Sequence, residues 1–95
     1  MSEDDYPAAL AAFREAWARL LAAVHATRDP QRHFDRATEA GEVLAKQVSE
    51  NAGERAGAAG RIQDAESLTL TALAGRISMT KQAAGRILAR RKEHR

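Results

Sequence analysis

Gln82 and Arg86 stand four residues apart, with Thr80 and Lys81 just before them and Arg90, Arg91 and Lys92 just after. A carboxamide sets a donor beside an acceptor and a guanidinium is a rigid fork of donors, so both can bind in bidentate fashion to the edges of nucleic-acid bases. The lysines and arginines add charge that neutralises phosphates without regard to sequence. Such a set recognises a ligand; it does not make or break bonds.

The distribution of charge supports this. Residues 67–95 contain Arg76, Lys81, Arg86, Arg90, Arg91, Lys92 and Arg95 against Glu93 alone, a formal +6, whereas residues 1–66 hold eight basic and twelve acidic residues, a formal −4. A uniformly solvated surface would not be sorted in this way. A chain that grips a polyanion concentrates its cations where the polyanion lies, and the rest can stay acidic.

The elements that must position these side chains are short helices. Thr69 is a capping hydroxyl, and Leu70, Leu73, Ala74 and Ile77 follow at helical spacing as a buried face. Ser78 and Met79 make a tight connection, and Thr80 is a second cap from which a helix runs from Lys81 to about Arg91. At about 100° per residue, Ala84, Ile87 and Leu88 of that helix point inward, while Gln82, Gly85, Arg86 and Ala89 point away. Gly85 and Ala89 carry no bulk, which lets the backbone approach a groove floor.

With these residues in this order, the stretch from Ser67 to Leu88 resembles the helix-turn-helix of bacterial transcription regulators, especially the form in the fourth region of sigma factors and in small regulators related to it. The resemblance covers about a quarter of the chain. In that pattern Leu73-Ala74 takes the paired positions where the two helices touch, Ile77 and Met79 flank the turn, and Ile87 locks the recognition helix. Ser78 departs from it, because glycine is usual at the turn and a serine at positive φ costs on the order of 1 kcal/mol. Gly75 inside the first helix costs roughly the same against alanine.

The resemblance implies that double-stranded DNA is the partner. Lys81, Gln82 and Arg86 are then the candidates for base edges, with Gln82 suited to adenine and Arg86 to guanine, and Gly85 allows close approach. Thr69, Thr71, Arg76 and Thr80 are candidates for phosphates. Arg90, Arg91, Lys92 and Arg95 add affinity independent of sequence.

The N-terminal part reads as helical support. Asp4 and Asp5 precede a helix that begins near Tyr6-Pro7 and runs to about Thr27, with Leu10, Phe13, Trp17, Leu20, Leu21 and Val24 as its apolar seam. Asp29 caps a second helix starting at Pro30, whose stripe Phe34, Ala37, Gly41, Leu44 and Val48 suits packing back on the first as a hairpin. Beyond Val48 two readings stand. Either one helix continues to about Glu66, spanning some 55 Å, or it breaks near Asn51-Ala52-Gly53. The long helix is favoured, and Gly53, Gly57 and Gly60 offer small surfaces for close contact across a dimer axis.

The expected architecture is therefore all-α: residues 1–66 as a dimerisation and support region, with the long second helix leading into a DNA-binding helix-turn-helix and basic tail at 67–95. With 95 residues and only Tyr6, Phe13, Trp17 and Phe34 as aromatics, one copy buries little bulk, and a homodimer is expected. The absence of cysteine excludes disulfides and fits a reducing interior, so a cytoplasmic, nucleoid-associated address is expected. No apolar run reaches the roughly 20 residues that span a bilayer, and the acidic start is unlike a secretory signal.

No cofactor or metal is expected. His25, His33 and His94 are scattered without ligand spacing, and Glu39, Glu42 and Glu50 read as solvated ion pairs. The glycines at 53–60 lack the GK[ST] ending of a phosphate loop. An enzyme is not expected. The reading is a homodimeric regulator that binds double-stranded DNA in a sequence-specific way. The alternatives are an adaptor for the transcription machinery or a toxin, and an architectural protein indifferent to DNA sequence.

Overall fold

A computed structural model describes residues 2–93, with the side chains of Lys92 and Glu93 outside the description. The 3-10 turn Glu3–Asp5 precedes four helices, α1 (Tyr6–His25), α2 (Pro30–Glu66), α3 (Leu70–Arg76) and α4 (Lys81–Glu93). No strand occurs among the described residues, so the chain is all-α. None of its described helices is long and apolar enough to cross a membrane.

Local chemistry sets most of the boundaries. Asp5 accepts a hydrogen bond from the Ser2 amide at 2.9 Å, and Pro7 sits in the first turn of α1, where its missing N–H costs nothing. At the other end, Thr27 Oγ1 donates to the Ala23 carbonyl at 3.0 Å and accepts from Arg36 Nη1 at 2.9 Å. One hydroxyl thus closes α1 and ties it to α2. Asp29 caps α2 by accepting from the Arg32 amide at 2.9 Å. From Pro30 the helix runs unbroken through Asn51-Ala52-Gly53, as one of the two expected readings had it.

The contacts divide the chain within α2 into two compact units, Met1–Leu44 and Ala45–Arg95. In the first, Val24 is buried and Leu10, Trp17, Ala40 and Leu44 are half-buried. Leu20, Ala23 and Val24 of α1 share a trough with Arg36, Ala40 and Val43 of α2. That corrects the stripe expected on α2. Phe34 is 67% exposed and Val48 62%, Ala37 is exposed, and Gly41 faces open space, with Leu44 alone of the set half-buried. Ala37 and Gly41 have almost no surface to bury, so the Arg36–Thr27 hydrogen bond and the neighbouring Ala40 and Val43 set the rotation of α2 instead.

In the second unit the buried side chains are small. Ala56, Ala59 and Gly60 of α2, Ala74 of α3 and Ala84 of α4 are buried, and Leu73 is the largest side chain wholly removed from solvent. The small residues expected to serve a dimer axis are in part used within the chain. Gly60 shows why, since a Cβ there would collide with the Arg91 side chain that lies across it.

Leu73→Ala should lower the stability of this unit by about 2–5 kcal/mol, and Leu73→Met by less than about 1.5 kcal/mol, in urea unfolding followed by circular dichroism. Equal losses in the two variants would mean that shape complementarity at Leu73, rather than buried volume, holds α3 in place.

Candidate nucleic-acid interface

Two serines make the corners that set α3 and α4. Ser67 and Ser78 are the described non-glycine residues with positive φ, at 52° and 57°. At the end of α2 the Leu68 amide donates to the Gln63 carbonyl at 2.9 Å and the Ser67 amide to Asp64 at 3.4 Å; at the end of α3 the Met79 amide donates to Ala74 at 2.8 Å and the Ser78 amide to Gly75 at 3.2 Å. This is the paired six-to-one and five-to-two pattern of a Schellman closure, repeated, with serine at the left-handed position that glycine usually fills. The turn keeps its geometry and the serine carries the strain.

Each corner hands the chain to a capping threonine. Thr69 Oγ1 accepts from the Ala72 amide at 3.2 Å and Thr80 Oγ1 from the Ala83 amide at 3.1 Å. Neither hydroxyl donates to a described group, which leaves both protons able to donate to a ligand. The expected starts of both helices therefore coincide with those observed, at Leu70 and Lys81.

On α4, Ala84 is buried and Ile87 and Leu88 are half-buried, while Gln82, Arg86 and Ala89 are exposed on the opposite side. Lys81, Arg90, Thr69, Thr71 and Thr80 are exposed as well. Gly85 is corrected. It is half-buried, and a Cβ there would sit 3.8 Å from Leu70 Cδ2 of α3. Four residues do not complete a whole number of turns, so Gly85 falls on the edge of the exposed strip that α3 covers.

The basic residues fall into two groups. Arg76 Nε lies 3.4 Å from Glu66 Oε2, and both Nη atoms of Arg91 lie 3.5 Å from Asp64 Oδ2. These exposed pairs contribute little energy, but they turn two guanidiniums toward α2 and its end. Arg91, expected to add affinity independent of sequence, lies with its guanidinium over Gly60, where a Cβ would collide with it. Arg86 and Arg90 take part in neither pair. Lys92 lies in α4 with its side chain outside the described residues, as Arg95 and His94 are entirely.

Arg55 of α2 joins Arg86 and Arg90 around a cleft of about 300 Å³ whose floor is Ala52, Met79, Ala83 and Ile87. Its Nη2 rests 4.0 Å from Met79 Sδ. Nothing in the sequence singled Arg55 out, since it stands among helix-forming residues 31 positions before Arg86 and only the packing of α2 brings them together. No group of three or more His, Asp or Glu side chains that could hold a metal ion occurs among the described residues.

Compared with models of known protein families, with curated proteins and with solved structures, the chain matches none of them.

Relief of the left-handed strain should make Ser78→Gly more stable by about 0.5–1 kcal/mol, less than the full steric penalty because glycine also gains freedom in the unfolded chain. Loss of the cap should make Thr80→Ala less stable by about 1 kcal/mol. Thermal unfolding of the two variants beside the parent chain checks both signs.

Proposed function

We propose that residues 67–93 act as a helix-turn-helix that places α4 in the major groove of double-stranded DNA, and that the chain is a homodimeric transcription regulator. The observation that carries the reading is the exposed strip Gln82–Arg86 on a helix whose opposite side is apolar and packed. A helix in the major groove contacts base edges through its first turns, where Lys81, Gln82 and Arg86 lie. Gln82 suits adenine and Arg86 guanine, each well-formed bidentate pair supplying about 1–3 kcal/mol of discrimination. The hydroxyl protons of Thr69 and Thr80, with Thr71, Arg90 and Lys92, serve phosphates. Arg76 and Arg91 contribute after exchanging their intramolecular carboxylates for phosphate, or act through the field they add.

Exposed apolar surface supports the homodimer. Tyr6, Phe13, Leu20 and Leu21 of α1 and Phe34, Val43 and Val48 of α2 are all exposed, more large apolar surface than scattered single residues account for. Two helical hairpins from two copies can close over these faces as a bundle. A two-fold dimer then pairs with an inverted-repeat site whose halves lie about one helical turn apart, or a multiple of it. A cytoplasmic, nucleoid-associated address in a bacterial cell follows from the same reading.

Sequencing of duplexes selected by the purified chain should yield an inverted repeat, and Arg86→Ala should lose about 1–3 kcal/mol of preference at one base pair per half-site in fluorescence anisotropy. Equal binding to selected and scrambled duplexes would instead make the chain an architectural protein. Sedimentation should give a dimer that Phe13→Asp combined with Phe34→Asp converts to a monomer, and a parent chain already monomeric at micromolar concentration defeats that part.

A further inference from the structure

We infer that the cleft between α2 and α4 is a phosphate clamp in which Arg55 and Arg90 hold one stretch of the sugar–phosphate backbone of a duplex, beside the base edge that Arg86 reads. The inference rests on the duplex reading above and deepens it by adding α2 to the contact surface.

Arg55, Arg86 and Arg90 line the cleft, and among the described residues no carboxylate does. Both ion pairs among the described residues are made elsewhere, by Arg76 and Arg91. Arginines that line one cleft with Ala52, Met79, Ala83 and Ile87 make its mouth positive, and an anion seated there is attracted by that field. Guanidinium forks match phosphate oxygens in shape as well as in charge. The space, about 300 Å³, lies at the lower end of the roughly 300–1,000 Å³ typical of ligand sites, ample for a phosphodiester group.

Placement argues for a polymer over a small anion. Arg86 belongs both to the cleft and to the exposed strip with Gln82, so a ligand that fills the cleft also borders the strip. A duplex whose groove receives α4 runs its backbone along the flank of that helix. Arg90 lies one turn beyond Arg86 on that flank, and Arg55 lines the same cleft from α2, its Nη2 4.0 Å from Met79 Sδ at the corner between α3 and α4. The clamp therefore fixes the depth and tilt of α4 and reads no base itself.

Arg55→Ala and Arg55→Lys in the full chain test this by anisotropy titration of a selected and a scrambled duplex at several salt concentrations, with circular dichroism melting as a check on folding. Arg55→Ala should weaken binding to both duplexes by the same factor, about three- to ten-fold, and should make the slope of log affinity against log salt shallower by about 0.9, the loss of one phosphate contact. Arg55→Lys should restore the slope but not all the affinity. An unchanged slope with Arg55→Ala, while the parent chain binds duplex, overturns the clamp and leaves the duplex reading intact. A parent chain that binds no duplex overturns that reading, and if it then binds tripolyphosphate in a manner that depends on Arg55, the cleft belongs to a free anion and the backbone assignment is wrong.

Discussion

The C-terminal unit is held by helices whose fully buried residues are, with one exception, small. Ala56, Ala59 and Gly60 on α2 and Ala74 and Ala84 on the short helices are buried, and Leu73 alone among the described residues brings bulk that is wholly buried. Small side chains contribute little hydrophobic burial of their own. The position of α3, and through it the corner at Ser78 and the start of α4, therefore depends on one leucine fitting one hole. Serine at both corners raises that dependence, because each left-handed residue stores strain that only the packed neighbours hold in place.

The same scarcity of bulk explains how the arginines are used. At Gly60 the Arg91 guanidinium fills the space that a Cβ would take and reaches Asp64. Where alanines line α2 at 52 and α4 at 83, a cleft remains and three arginines line it. Arginine serves as packing in the first place and lines a cleft in the second, which its long apolar stem and delocalised head allow.

In the N-terminal unit the constraint acts in the opposite direction. Bulky apolar residues are present, yet α1 and the first turns of α2 meet mainly around Val24, and Phe13, Leu21 and Phe34 are left in water. Two helices have too little mutual surface to cover stripes on both sides of their line of contact. The proposed second copy is the simplest cover for this unit, and it would place two exposed α4 strips under a common symmetry axis.

Residues close in sequence determined a great deal. Thr69, Thr80 and Asp29 as caps, Pro30 as the start of α2, and the split of α4 into an apolar side and the Gln82–Arg86 strip were legible because capping bonds and helical periodicity join residues three or four apart. The continuity of α2 through its glycines was open to two readings, since the cost of a glycine is local while burial of Ala56, Ala59 and Gly60 is not. Only the tertiary structure decided that Arg36, Ala40 and Val43, and not the stripe from Phe34 to Val48, lie beside α1, that Gly85 sits against Leu70, that Arg91 turns back to Asp64, and that Arg55 joins Arg86. Each of these pairs residues far apart along the chain or selects among faces of similar polarity, and that selection depends on which surfaces fit in space, a property no periodicity along a single strand of sequence contains.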